Sequence, residues 1–190
     1  MDDLQTQKLE LRRELKSRRA GRSYDPDAAE RFCVHLAELC LERGVTTVAS
    51  YLAMQSEPDT ELFIDWAIEN EITVLAPVSH ADGSLSWVEF DGATSEGIFG
   101  FAEPVGKAAE LSQTDLILIP ALGVDGQGHR IGKGKGYYDR ALSALKKPVP
   151  VVALVFKDEL LDSVPVEAHD QPIDAVVTED GITRFTDRLN

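Results

Sequence analysis

Two periodicities take turns along this chain. Residues 4–20 set Leu4, Leu11 and Leu15 on one face among good helix formers, which predicts an amphipathic helix. A second helix is predicted from Asp25-Pro26 to about Arg43, with Phe32, Cys33, Leu36, Leu39 and Cys40 inward. Proline in its first turn and Gly44 just past its end suit the two helix termini. The apolar run Val45–Met54 predicts a strand ending in the polar turn 55–59, and Thr60 to Asn70 returns to helical spacing with Leu62, Phe63, Trp66 and Ala67 inward. Ile72–Ala76 reads as a short strand closed by Pro77, and Ser84–Phe90 alternates like a half-exposed strand. Residues 91–114 read as loop. Asp115–Ile119, Val149–Phe156 and Ala175–Thr178 are unbroken apolar strands, and Tyr137–Leu145 is helical. Apolar strands separated by helices predict a three-layer α/β/α fold with a mostly parallel sheet, in a single domain spanning 1–190. Ligands of such sheets bind beyond the carboxyl ends of the strands. The turn around Glu57 and the stretch after Ile119 both fall there.

The stretch Pro120–Arg140 holds six glycines and four cations (Arg130, Lys133, Lys135, Arg140) within 21 residues. Glycines let a backbone turn through positive φ and approach a ligand closely. Cations beside exposed N–H groups make a cradle for phosphate oxygens. The spacing is neither a Walker A motif, because Gly132-Lys133 and Gly134-Lys135 are each followed by Gly, nor a dinucleotide fingerprint, because Gly132-x-Gly134-x-Gly136 is too tight. No nucleophile–base arrangement is visible. His129 lies inside the stretch as a bystander, and His35, His80 and His169 have no evident partners.

A net charge of −14 changes the picture by exclusion, since nucleic acid and membrane surfaces are themselves polyanionic. Anions must be captured by local field. A second basic feature is the stripe Lys8, Arg12, Lys16 and Arg19, the densest basic surface outside the glycine stretch, which by itself reads as a solvated helix face balanced by Glu10 and Glu14. Cys33 and Cys40, seven residues apart in one helix, lie about 10 Å apart along its axis and cannot pair; they are expected to be reduced thiols in a cytoplasmic protein. No signal-peptide pattern opens the chain, and no apolar run reaches membrane-spanning length.

Three separated segments together resemble the 5-formyltetrahydrofolate cyclo-ligase (methenyltetrahydrofolate synthetase) family. They are Lys8-x-x-x-Arg12-x-x-x-Lys16-x-Arg18-Arg19, the segment Tyr51-Leu-Ala-Met-Gln-Ser-Glu57-Pro-Asp-Thr60, and the glycine stretch with Tyr137-Tyr138-Asp139-Arg140. Order and spacing agree from about residue 4 to 180. The resemblance implies ATP- and magnesium-dependent closure of 5-formyltetrahydrofolate to 5,10-methenyltetrahydrofolate through a phosphorylated formyl group, releasing ADP and phosphate. The alternatives are a relative acting on another formylated metabolite and a nucleotide- or folate-binding protein without turnover. It implies Lys8, Arg12 and the segment Arg130, Ile131, Gly132, Lys133, Gly134, Lys135, Gly136, Tyr137 and Tyr138 at ATP, with Arg130 and Lys133 catalytic. Leu52, Glu57, Phe99 and the run Lys133–Tyr137 would border the folate. Asp139 and Asp174 would hold magnesium, although on its own pattern Asp174 reads as a turn or capping residue. The implied partners are these two small molecules, with neither nucleic acid nor membrane, and a monomer is expected.

Overall fold

The apolar runs meet in one eight-stranded sheet. A computed structural model of the chain describes residues 3–23, 25–97, 100 and 102–189. Leu116–Pro120 is central, and its parallel neighbours are Thr47–Ala49 on one side and Val151–Leu154 on the other. Thr73–Ser79 and Ala175–Thr178 extend the parallel part outward. Antiparallel strands close both edges, with Gly181–Arg184 at one and Leu85–Glu89 followed by Ala108–Ala109 at the other. Burial on two faces explains why these strands read as unbroken apolar runs. Leu116 and Leu118 join Val48, Val152, Leu154 and Val177 on one face, while Ile117 and Ile119 join Ala49, Val151, Ala153 and Val176 on the other.

Helices cover the two faces unequally. Helices α2 (Ala28–Arg43) and α3 (Glu61–Glu69) pack over the first face through Phe32, Leu36, Leu39, Phe63 and Ala67. Full burial of each large apolar side chain contributes up to about 1.5–3 kcal/mol. Gly44 ends α2 in the left-handed conformation, donating to Cys40 O and Leu41 O. The second face carries the short α4 (Tyr137–Ser143), through Leu142, Ala141 and Tyr138. Helix α1 (Asp3–Ala20) packs on neither face. Its Leu15 forms a separate small core with Leu122, Ile131 and Val164, which lies beyond the carboxyl end of the central strand. The fold is the expected mixed α/β arrangement around a mostly parallel sheet.

Element bounds differ from the pattern where tertiary bonds intervene. The strand expected over 45–54 is only Thr47–Ala49. After Ser50 N–H donates to Leu75 O (2.9 Å), the chain leaves the sheet, and two bonds close the excursion: Tyr51 Oη to Pro58 O (2.7 Å) and Thr60 Oγ1 to Tyr51 O (2.8 Å). The strand expected to stop at Pro77 continues to Ser79. Phe90 N–H donates to Val74 O, so the alternation makes Pro77–Trp87 a pair that exchanges no ladder bonds. The missing N–H of Pro77 therefore faces a side where the parallel neighbour has already ended. Residues 91–114 hold the short strands Thr94–Glu96, Ala102–Pro104 and Ala108–Ala109 and a 3-10 turn, too brief to leave a periodicity. Cys40 is buried and Cys33 half-buried, both free, and burial pushes the Cys40 thiol up to about 12.

Candidate active site

The glycine stretch is two structures. Its first half is a buried hairpin, in which Gly123–Asp125 pairs antiparallel with Arg130–Ile131 and Leu122 N–H donates to Ile131 O (2.7 Å). The Asp125 carboxylate holds the turn together, accepting from the N–H groups of Gln127 (2.9 Å), His129 (3.0 Å) and Val164 (3.1 Å) and facing His129 Nδ1 at 3.1 Å. Burial works against its ionisation, yet these hydrogen bonds outweigh it and hold the carboxyl below its usual range. His129 is thus held within the hairpin by Asp125. The second half, 132–136, is the open loop. Gly134 (φ 96°) passes so close to α1 that a Cβ there would sit 3.3 Å from Arg12 Nε, which itself donates to Gly132 O at 3.0 Å.

Loop, α1 and the excursion 51–57 enclose a cleft of about 590 Å³, a size typical of small-molecule sites. Lys8, Arg12, Leu52, Glu57 and the whole run Arg130–Asp139 border it. Ile131 contributes little side chain, being buried with Leu15, Leu122 and Val164. A larger hollow of about 1060 Å³ lies between the end of α1 and the start of α2. It shares Glu57 and Lys133 with the cleft but contains no other residue of the loop.

Three of the cleft's cations are paired with carboxylates. Lys133 Nζ lies 2.7 Å from Glu57 Oε1, and the side chain of Glu57 is 3% exposed; its Oε2 accepts Met54 N–H at 2.8 Å. Arg130 Nη2 donates to Asp139 Oδ1 (2.7 Å), and Nη1 donates to Gln171 O. Lys8, buried, bridges Glu167 Oε2 and Asp170 Oδ2, each at 2.6 Å. The Lys8 hydrogen bond is the main cause holding Glu167 below the usual carboxylate range; at Asp170 burial opposes ionisation, but Lys8 and the Glu167 N–H prevail. Beneath Glu57, Tyr138 stands edge-on to Trp87 at 6.5 Å, its phenol pushed up by burial and then by Glu57. Met54, within the 51–60 segment, also borders the cleft, as do Gln5, Glu167, His169 and Asp170, which had no motif to mark them. His169 does have partners: its Nε2 is 3.9 Å from Glu167 Oε2 and 3.8 Å from Asp170 Oδ1. Only the run Glu167-Ala-His-Asp170, an acid–histidine cluster, could have signalled them.

Three expectations need correction or fall outside. Asp174 does not border the cleft: at the start of strand Ala175–Thr178, its Oδ2 accepts Val151 N–H (2.9 Å) and its Oδ1 the Thr186 hydroxyl (2.6 Å). With both oxygens tying the sheet's strands to the chain beyond, it fits a capping role and does not fit a metal. Asp139 fits better, because both its bonds fall on Oδ1, from Arg130 Nη2 and Gln171 N–H (3.3 Å), and its carboxyl is 26% exposed at the cleft. Phe99 lies outside the described residues. In the α1 stripe, Lys16 is exposed, but Arg19 is buried and clasps Glu159 with Nε and Nη2, both at 2.7 Å.

Residues 4–179 match the family model of the 5-formyltetrahydrofolate cyclo-ligase family. The chain belongs to that family. It is an enzyme on that ground. The chain is 37% identical to the 5-formyltetrahydrofolate cyclo-ligase of Mycolicibacterium smegmatis over 70% of its own length and 73% of the relative's. With the Escherichia coli K12 protein of the same name it shares 32% identity, over 70% of this chain and 77% of that one. Its fold is similar to that of a 5,10-methenyltetrahydrofolate synthetase from Aquifex aeolicus, with a TM-score of 0.82, 28% identity and coverage of 95% and 93% of the two chains. Among the described residues no helix is long and apolar enough to cross a membrane.

Proposed function

We propose that the chain closes the ring of 5-formyltetrahydrofolate to give 5,10-methenyltetrahydrofolate, using ATP and releasing ADP and phosphate. The observation that carries this reading is the Glu57–Lys133 contact: the residue assigned to the folate and the residue assigned to the phosphates touch in one cleft. The formyl oxygen is a poor leaving group. In the proposed reaction it attacks the γ-phosphorus as the bond to ADP breaks. The neighbouring folate nitrogen then attacks the formyl carbon and loses its proton, and the C–O bond breaks to expel phosphate. Such transfer asks mainly for positioning and charge neutralisation.

Lys133, Arg130, Lys135 and Arg12 surround the place for the phosphates, and Lys8 holds α1 against them from its carboxylate clasp. Glu57 accepts hydrogen bonds from the N–H groups of the pterin, with Leu52 beside it. Asp139 would hold magnesium, which supplies further neutralisation of phosphate charge. The test is product absorbance on mixing folded protein with 5-formyltetrahydrofolate, ATP and magnesium. Turnover only when all three are present is expected. Binding without product, or turnover only of a different formylated compound, would overturn the reading.

A further inference from the structure

Arg140 follows the cleft residues in sequence but does not border the cleft. Its guanidinium instead goes to backbone: Nε and Nη2 donate to Gly83 O at 2.9 and 2.6 Å, and Nη2 also donates to Lys135 O at 2.7 Å. Gly83 is at the tip of the hairpin joining Thr73–Ser79 to Leu85–Glu89. Lys135 belongs to the open loop. Two glycines make room for the same group. A Cβ on Gly83 (φ 84°) would lie 2.4 Å from Nη2, and one on Gly136 (φ 67°) would lie 2.9 Å from Nη1. Tyr137 adds a parallel tether, its Oη donating to His80 O at 3.1 Å, with the Arg140 guanidinium 5.7 Å from its ring centre.

The hairpin tip is a firm anchor. Gly83 N–H donates to His80 O and His80 N–H to Ser84 O, both at 3.0 Å. Ser84 N–H and Oγ both donate to Asp82 Oδ1, at 2.9 and 2.7 Å. The loop is the opposite, since Gly132, Gly134 and Gly136 give it a large backbone entropy to lose on ordering.

We propose that Arg140 is a positioning residue that fixes loop 132–136 to the hairpin tip 80–83, so that Lys133 and Lys135 are held in place before the phosphates arrive. This rests on the cyclo-ligase reading for its kinetic consequence, while the tether itself does not. A preformed loop saves ordering cost on binding, and misplacement of a ligand-holding segment can cost about 100-fold.

The experiment combines amide hydrogen exchange with steady-state kinetics on wild type, Arg140→Ala, Arg140→Lys, Gly83→Ala and the double variant. For R140A, exchange is expected to quicken in 80–83 and 132–136 together while the melting temperature barely moves. KM for ATP should rise about 10- to 100-fold, with a smaller rise in KM for the folate, which the same loop borders. Lysine should restore only part of this, because an ammonium lacks the fixed fork that reaches both carbonyls. G83A should reproduce the defect by displacing the guanidinium, and the double variant should lie within about twofold of R140A alone. Unchanged exchange in either segment of R140A, or multiplying defects in the double variant, overturns the proposal. A wild type without ATP-dependent turnover would sink the functional reading, and exchange would still decide the tether.

Discussion

Glu57 and Lys133 neutralise each other across 2.7 Å, so each ligand must replace a partner already present. Glu57→Gln keeps the shape and removes the charge. On the proposed reading, KM for the folate rises about 10- to 100-fold, the worth of a charge-assisted hydrogen bond. KM for ATP stays level or falls, because Lys133 loses its competitor. Substrate-varied kinetics check both, and equal increases in the two constants would show that Glu57 serves the loop and not the folate. The α1 stripe offers a contrast between neighbours. Arg19→Ala leaves the buried Glu159 carboxylate only Arg22 Nη2 and Phe156 N–H, each at 3.0 Å, and is expected to cost about 1.5–3 kcal/mol in urea unfolding. Lys16→Ala, on the exposed side of the same helix, should change stability by less than about 0.5 kcal/mol and leave kcat/KM unchanged.

The hairpin that aims Arg130 into the cleft depends on one acid. Because the folded Asp125 carboxyl is held below its ordinary value of 3.8, its contribution to stability is complete above that value. It is lost as pH falls through the depressed folded value. Asp125→Asn should therefore lower stability at neutral pH by about 1–3 kcal/mol and flatten the loss below pH ~4. Urea unfolding at stepped pH reads this directly, and an unchanged acid slope would remove Asp125 from the account. The same hairpin shows where pattern reading stops. Six glycines in a row of 21 residues look alike in sequence, yet those at 123, 126 and 128 belong to a buried hairpin and those at 132, 134 and 136 to an open loop. The difference comes from Leu122 and Ile131 packing against Leu15 of α1, a partner more than a hundred residues away.

At the scale of the molecule, a net charge of −14 repels anionic substrates at a distance while the cleft cations attract them nearby. Salt screens both, over about 10 Å at 0.1 M. The opposing effects predict a shallow dependence of ATP affinity on ionic strength, and titration calorimetry at low and moderate salt should find less than about a tenfold change. A steep fall would mean that attraction dominates at long range. The strands, α2, α3 and the position of the glycine loop were legible because they rest on the spacing of apolar side chains and on backbone freedom, which neighbouring residues set. Family resemblance implied the grouping of Lys8, Glu57 and the loop, and the fold brings them into one cleft. Which carboxylate holds which cation was decided only in three dimensions: Lys8 with Glu167 and Asp170, Arg19 with Glu159, and Asp174 turned to Val151 and Thr186. Those pairings join segments far apart in sequence, and no periodicity records where the chain returns.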